Sequence, residues 1–350
     1  KKPLSWKGPV IASTVGNGKL ARVLVKNRKA TLSVPGCGAL LVNAGQSGYY
    51  RTVYAPANAR ALAGSFARLA PIDQLGLLSD SQSLGMAGLQ DPASFLELAK
   101  ATPLSADPQV LGKVAGALGG LYEQYAGDST ESKARQQAFG RFAMARLAPM
   151  MAQTGWEARA GEASSVATLR AQLIAILGDM GEAGVLAEAR RRYAASEQDP
   201  SAMPAPLRRT ILGVVAQHAD AATWEQLHAR ARAEKTPLVK NQLYDLLASS
   251  DDPALAQRAL ALALTDEPGV TNSPAMISRV SRTHPELAFD FALAHLEQVN
   301  ARIDASSRSR YFPRLAAGSA QPQMVAKLRS YAQANLPASA RGDADSAVAG

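Results

Sequence analysis

Apolar and polar positions alternate in short runs through residue 54, and beyond it apolar positions recur three and four apart to the C-terminus. The change of period divides the chain. In the first part Gly8–Ala12 reads as a short strand and Gly16-Asn17-Gly18 as a turn. Ala21–Lys26 alternates as a half-buried strand should, Thr31–Val34 is a further strand closed by Pro35-Gly36, and Leu40–Val42 leads into Asn43–Tyr54. That last stretch is aromatic and β-prone, with Gly45 and Gly48 marking a tight turn or bulge. It is expected to form the final strand of a β domain and to feed directly into helices. A complete sandwich takes about 100 residues, so residues 1–54 are expected to be either a small, partial β-sandwich or a small sheet packed on the helices.

The second part predicts helices over 57–69, 71–88, 92–101, 106–126 and 128–150, then one face of Val166, Leu169, Leu173, Ile176, Leu177 and Met180. Asp107-Pro108 and Asp128-Ser129 supply N-cap chemistry. From 182 onward helices of 182–196, 206–219, 221–235, 238–249, 253–265, 273–283, 285–299, 306–318, 322–335 and 338–349 alternate with short Asp-, Pro- or Gly-bearing turns. Pairs recurring about every thirty to forty residues without a strict consensus suggest a HEAT- or armadillo-like superhelix. The expected fold is therefore mainly α: a partial β-sandwich over 1–54 and an α-helical repeat domain over 55–350.

Composition narrows this picture. Hydrophobic residues make up 47% and charged residues 19%, a globular balance. Aromatics are only 5%, and the abundant alanine lets helix backbones approach closely. The formal charge of +9 would attract nucleic acid, an anionic membrane surface or acidic peptides if the cations shared one face. They are scattered, with clusters at Arg190–Arg192, Arg208-Arg209 and the Arg302/Arg308/Arg310/Arg314 group, which fits solvated helix faces. A nucleic-acid partner, which needs aligned cations with aromatic platforms, is not expected. No apolar run has the length of a membrane span. The chain begins at Lys1, so a fragment or processed chain is expected, and its compartment, cytoplasmic or periplasmic, stays open.

Candidate chemistry is sparse. The four histidines, His218, His228, His284 and His295, have no pair at i,i+4 around a glutamate, so no metal ligands are expected. Cys37, the single cysteine, lies between glycines with no histidine near it in sequence, which is a turn cysteine and not a nucleophile. Ser47 sits in Gly45-Gln-Ser-Gly48, without the Gly-x-Ser-x-Gly spacing of a nucleophile elbow. No catalytic residue and no cofactor is expected in this chain. Tyr49, Tyr50 and Arg51 are expected to tie the sheet to the helices, with Arg51 pairing a carboxylate such as Asp73 or Asp80.

Several stretches resemble one family. Pro71–Gly88 is similar to the start of the helical domain of zinc aminopeptidases of the gluzincin clan, with Asp73, Asp80, Leu84 and Gly88 fitting its pattern. Gln74 stands where that family usually has Arg. The order Gly155, Trp156, Glu162, Leu169, Arg170 resembles the same domain, as do Pro206-Leu207-Arg208, Trp224, Asp252-Pro253, His284-Pro285 and Leu336-Pro337 further on. The likeness is to the puromycin-sensitive, aminopeptidase N and endoplasmic-reticulum types, and Asn43–Tyr54 resembles the junction between their β-sandwich and helical domains.

The resemblance implies a C-terminal portion of such an enzyme. Its His-Glu-x-x-His helix, third zinc ligand and Gly-x-Met-Glu-Asn loop are absent here. It implies zinc in a catalytic domain of the same polypeptide, peptide substrates, and no catalysis by this chain itself. It also implies that the helical domain walls a peptide cavity, and Arg308, Arg310, Tyr311 and Arg314 on a late helix are the candidates for meeting the peptide there. A stand-alone helical-repeat scaffold binding a protein or peptide is the alternative. The Ala/Arg-rich composition fits a bacterial source.

Overall fold

A computed structural model describes residues 7–26, 28–127 and 129–349. Two compact units are distinguished: one of residues up to 121 with 142–176, the other of 122–141 with 177 onward. Asp128, expected to cap a helix, lies outside the described residues. Its neighbour Ser129 accepts the Ser132 N–H at 3.0 Å.

In the first unit β1 (Gly8–Thr14) is the centre of an antiparallel sheet, with β2 (Ala21–Val25) on one side and β3 (Leu40–Val42) on the other. The register sets Val10 opposite Val23 and Ser13 opposite Leu41. Described residues hold this one three-stranded sheet; the second layer of a sandwich is not among them. Thr31–Val34, read above as a strand, joins no ladder. Its chain instead leads to Pro35, whose carbonyl accepts from Thr14 Oγ1 and Asn17 Nδ2, so it is held by side chains of the β1 turn.

Tyr49–Tyr54 is not a strand either, and the reason is local. Asn43 and Gln46 take left-handed backbone (φ 60° and 53°), and Gly45 does so at 77°. The Asn43 side-chain amide closes the loop, accepting from Gly48 N–H at 2.8 Å and donating to Gly48 O at 3.0 Å. The chain therefore turns away from β3. What covers that outer edge is a pair of side chains. Asn58 Oδ1 accepts the Leu40 N–H and its Nδ2 donates to Leu40 O, both at 2.8 Å. The Tyr54 hydroxyl accepts the Val42 N–H at 3.0 Å and donates to Val42 O at 3.2 Å. Burial pushes its pKa up to about 12, keeping the donor proton in place. Side chains thus do what a fourth strand would do, and the edge is closed to pairing.

Helix α1 (Pro56–Gly64) starts on a proline at its first position, and a 3-10 turn at Phe66–Arg68 precedes α2 (Pro71–Met86). Then come α3 (Ala93–Ala101), α4 (Pro108–Gln124), α5 (Thr130–Thr154) and α6 (Ser164–Asp179). Gln74, in the place of the family's Arg, is buried and donates to Phe66 O at 2.9 Å, so it ties α2 to the 3-10 turn. Leu84 and Gly88 end α2: Gly88 is left-handed (φ 68°) and the Leu89 N–H reaches Leu84 O at 2.9 Å.

The connection from α5 to α6 turns on one buried guanidinium. Arg170 is 2% exposed and grips Glu162 with two bonds, Nη1–Oε1 at 2.7 Å and Nη2–Oε2 at 2.6 Å. It also donates to Gly155 O at 2.8 Å and to Thr154 O at 3.3 Å, the carbonyls at the end of α5. Gly155, Glu162 and Arg170, noted in sequence only as an order of residues, form a single hydrogen-bonded node.

The second unit continues with α7 (Ala183–Ala195), α8 (Ala205–Gln217), α9 (Ala221–Ala233), α10 (Pro237–Leu247), α11 (Pro253–Ala263) and α12 (Ser273–Val280). It ends with α13 (Pro285–Ala294), α14 (Leu296–Arg302), α15 (Arg308–Ala316), α16 (Pro322–Asn335) and α17 (Gly342–Ala349). The single helix expected over 285–299 is two, because His295 leaves helical geometry (φ −116°, ψ 33°). The last one, expected over 338–349, begins as a 3-10 turn at Ala338–Ala340. Helices α8, α10, α12 and α14 touch in succession, and so do α11, α13, α15 and α17. Contacts between sequence neighbours join the two rows. Their interior is small and aliphatic: Ala256, Ala259, Leu260 and Ala263 on α11 and Met276, Ile277 and Val280 on α12 are all 0% exposed.

Removing the Arg170 side chain leaves a carboxylate and two carbonyls without it. Arg170→Leu is expected to cost about 3–5 kcal/mol in denaturant unfolding. The Arg170 hydrogen bonds hold the Glu162 carboxyl below its ordinary range. A depressed pKa stabilises the fold above the unfolded value of about 4.3, and that contribution is lost as pH falls through the folded value. The stability gap between wild type and Glu162→Gln should therefore narrow as the pH is lowered from 7 past that point.

Candidate functional site

Helix α15 buries Phe312, Pro313, Leu315 and Ala316 and leaves Arg308, Arg310 and Arg314 exposed. Phe312 stacks on Tyr331 of α16 with centroids 4.7 Å apart. Arg310 and Arg314 are one turn apart on one face, suited to a single extended anion. Arg308 leans back, its Nε 3.4 Å from Ile303 O. Tyr311 differs from its three companions. Its hydroxyl donates to Pro274 O of α12 at 2.8 Å, and burial raises its pKa. It pins α15 to α12, so of the four candidates the structure offers the arginines to solvent and commits the tyrosine to packing.

The junction residues divide in the same way. Tyr49 is fully exposed and ties nothing. Tyr50 is half-buried, its ring folded back over Gly48, where a Cβ would lie 2.2 Å from the ring. Arg51 sits 3.9 Å from Asp80, a long contact on a half-exposed side chain. Both carboxylates also bind backbone: Asp73 accepts the Gly45 N–H at 2.7 Å and Asp80 accepts the Thr52 N–H at 3.0 Å. Seven residues apart on α2, they lie on one face and hold the whole 45–52 segment against it.

A second polar feature escaped the sequence reading. The C-terminal ends of α6, α8 and α10 lie in succession in the second unit, and each is met by residues that follow the next helix of the row. His218 Nε2 lies 2.8 Å from Gly178 O at the end of α6. The Asp251 N–H donates to Gln217 O at the end of α8 at 2.9 Å. His284 Nε2 lies 3.1 Å from Ser250 O just past α10. Gln217 Nε2 adds a bond to Asp179 at 2.8 Å, and His218 Nδ1 lies 3.4 Å from Asp251. Gly178 makes the approach possible: a Cβ there would lie 2.5 Å from a Val214 methyl. Burial raises the Asp251 carboxyl, with His218 opposing. Burial also raises Glu123 near the end of α4, with Asp179 adding and Arg282 opposing. The signal in sequence was weak: His218 and His284 stand just past helical apolar runs, where imidazole suits carbonyls.

Residues 39–346 match the family described as ERAP1-like C-terminal domain. The chain belongs to that family. Aminopeptidase M1 of Arabidopsis thaliana is 30% identical to it over 262 residues, 72% of this chain and 29% of the relative. Aminopeptidase 2 of Candida albicans is 26% identical over 209 residues, 59% of this chain and 22% of the relative. Aminopeptidase M1-A of Oryza sativa subsp. japonica is 26% identical over 255 residues, 71% of this chain and 29% of the relative. The chain thus spans less than a third of the length of these relatives.

The described side chains of this ERAP1-like C-terminal domain assemble no zinc site. Among the described residues no three His, Cys, Asp or Glu side chains gather to hold a metal. The histidines are spent elsewhere: His218 and His284 on helix ends, His228 on Glu267 at 2.5 Å, and His295 beside the Phe291 ring at 4.6 Å. Cys37 is exposed in its turn. No described helix is long and apolar enough to cross a membrane.

If Tyr311 is an anchor and the arginines are surface, their variants must separate. Tyr311→Phe is expected to lower unfolding stability by about 0.5–1.5 kcal/mol. Arg310→Ala and Arg314→Ala should stay within about 0.5 kcal/mol of wild type. Chemical denaturation of the three variants checks this.

Proposed function

We propose that this chain is the C-terminal, non-catalytic portion of a zinc metallo-aminopeptidase. Residues 1–54 would close its β domain, and 55–350 would form a HEAT- or armadillo-like superhelix that walls the peptide cavity, limits substrate length and takes part in closure. Its partners would be the catalytic zinc domain of the same polypeptide and peptide substrates. The observation that carries the reading is the match to the ERAP1-like C-terminal domain over 39–346, joined by relatives that are each named an aminopeptidase. Stacked rows of helices from α8 to α17 support it, since such arrays present one long surface. Arg310 and Arg314, exposed on one face of α15, are the residues proposed to meet the distal carboxylate of a long peptide, with Arg308 beside them. Closing such a cavity would exclude water from the reacting centre.

The full-length protein carrying this chain tests the proposal. Release of the N-terminal residue is measured from short and long peptides, for wild type and for the double variant Arg310→Glu, Arg314→Glu. Wild type should hydrolyse both in a chelator-sensitive way. The variant should change kcat/KM on long acidic-ended peptides by about fivefold or more and leave dipeptide surrogates unaffected. Equal behaviour on both lengths would remove the arginines from the cavity. Chelator-sensitive turnover by the isolated chain would overturn its non-catalytic role, and no peptidase activity in the full-length protein would favour a scaffold that binds peptides without cleaving them.

A further inference from the structure

The first unit holds a cleft with features of a small-molecule site that the cavity reading does not use. It lies among the 45–54 segment, α1, α2 and α3, and encloses about 110 Å³. Engineered apolar cavities of about 150 Å³ take benzene, so this space suits a branched aliphatic group. Its apolar walls are Leu62, Leu77 and Leu98, themselves only 2%, 6% and 7% exposed. Of the polar groups in the lining, three set the chemistry of a ligand. Thr52 Oγ1 is buried and has no hydrogen-bond partner, an uncommon state for a hydroxyl away from water. One Asp80 oxygen accepts the Thr52 N–H, but the other has only the 3.9 Å contact with Arg51. Arg60, an exposed residue of α1, lines the same cleft.

An under-compensated carboxylate and an orphaned hydroxyl beside an apolar wall call for a ligand with a cationic donor next to a hydrocarbon group. A guanidinium in the same lining calls for an anion on the ligand's outer side. We propose that this cleft binds a free aliphatic α-amino acid: its ammonium on Asp80 and Thr52 Oγ1, its side chain among Leu62, Leu77 and Leu98, and its carboxylate toward Arg60. A plain hydrocarbon would leave Asp80 and Thr52 unsatisfied, and a fatty acid would bring a second negative charge to Asp80. Glu97, also in the lining, is engaged by Lys100 at 2.9 Å and leaves the amine position to Asp80.

Isothermal titration and thermal unfolding of the chain with three probes read the proposal directly. L-leucine should bind and raise the unfolding temperature. Leucine amide, lacking the carboxylate, should bind about tenfold more weakly, and 4-methylpentanoate, lacking the amine, should not bind. Asp80→Asn should abolish leucine binding. Because Asp80 also anchors Thr52, a second variant, Ala63→Leu, fills the cleft and keeps that anchor; it should fold and fail to bind leucine. Failure of leucine to bind wild type, or unchanged binding by Ala63→Leu, overturns the site. Equal affinity for leucine and its amide overturns the amino-acid class, and binding of 4-methylpentanoate overturns the charge order. None of these readouts uses peptidase activity, so they stand or fall apart from the cavity reading.

Discussion

Every helix that ends, and every strand that lies at an edge, exposes backbone groups that must find partners, and this requirement organises the chain. The solution recurs: a side chain from the next element reaches back. Arg170 closes the end of α5, and His218 and His284 close the ends of helices that precede them in the stack. Asn58 and Tyr54 close the edge of β3. Asp73 and Asp80 take the N–H groups of a loop that has no ladder to join. Each of these bonds has a modest net value, about 1 kcal/mol, but the unmet alternative costs more. Polar seams of this kind fix which element lies next to which, while the alanine- and leucine-rich interiors supply the attraction without much selectivity.

The sequence shows the helices well and the seams poorly. Prolines at the first turns of α1, α2, α8, α10, α11, α13 and α16 mark their starts, and three- and four-residue spacing marks their faces. What failed was the stretch from Tyr49 to Tyr54. Its aromatic content reads as a strand, yet the three left-handed residues at Asn43, Gly45 and Gln46 turn it off the sheet. Propensity described those side chains correctly and the backbone wrongly, because a strand needs a ladder partner and Tyr54 uses its hydroxyl to replace one.

The candidate residues follow the same logic. Arg310 and Arg314 could be placed on a helix face from spacing alone. Tyr311, one position away, could not be separated from them, because its role depends on Pro274, 37 residues distant. The expected partner, Arg51, lies 3.9 Å from Asp80. Both carboxylates also accept from backbone, Asp73 from Gly45 and Asp80 from Thr52, contacts that no residue type at those positions announces.

Short helices give these seams their weight. Each helix from α7 to α17 has fewer than fifteen residues, a length at which an isolated helix is marginal in water. Their stability must come from neighbours, so each helix end is a place where one pair of helices is committed to the next. A side chain that caps the preceding helix therefore couples two neighbours in a way an apolar contact of equal size does not, since sliding by one turn keeps hydrocarbon buried but strands the carbonyl. Curvature and spacing of the array are then set at the capped ends, where Gly178 meets Val214 and His218 meets Gly178. An array built this way can be stiff in its register while its aliphatic interior still allows small displacements. The peptide-facing role proposed for it would draw on that combination.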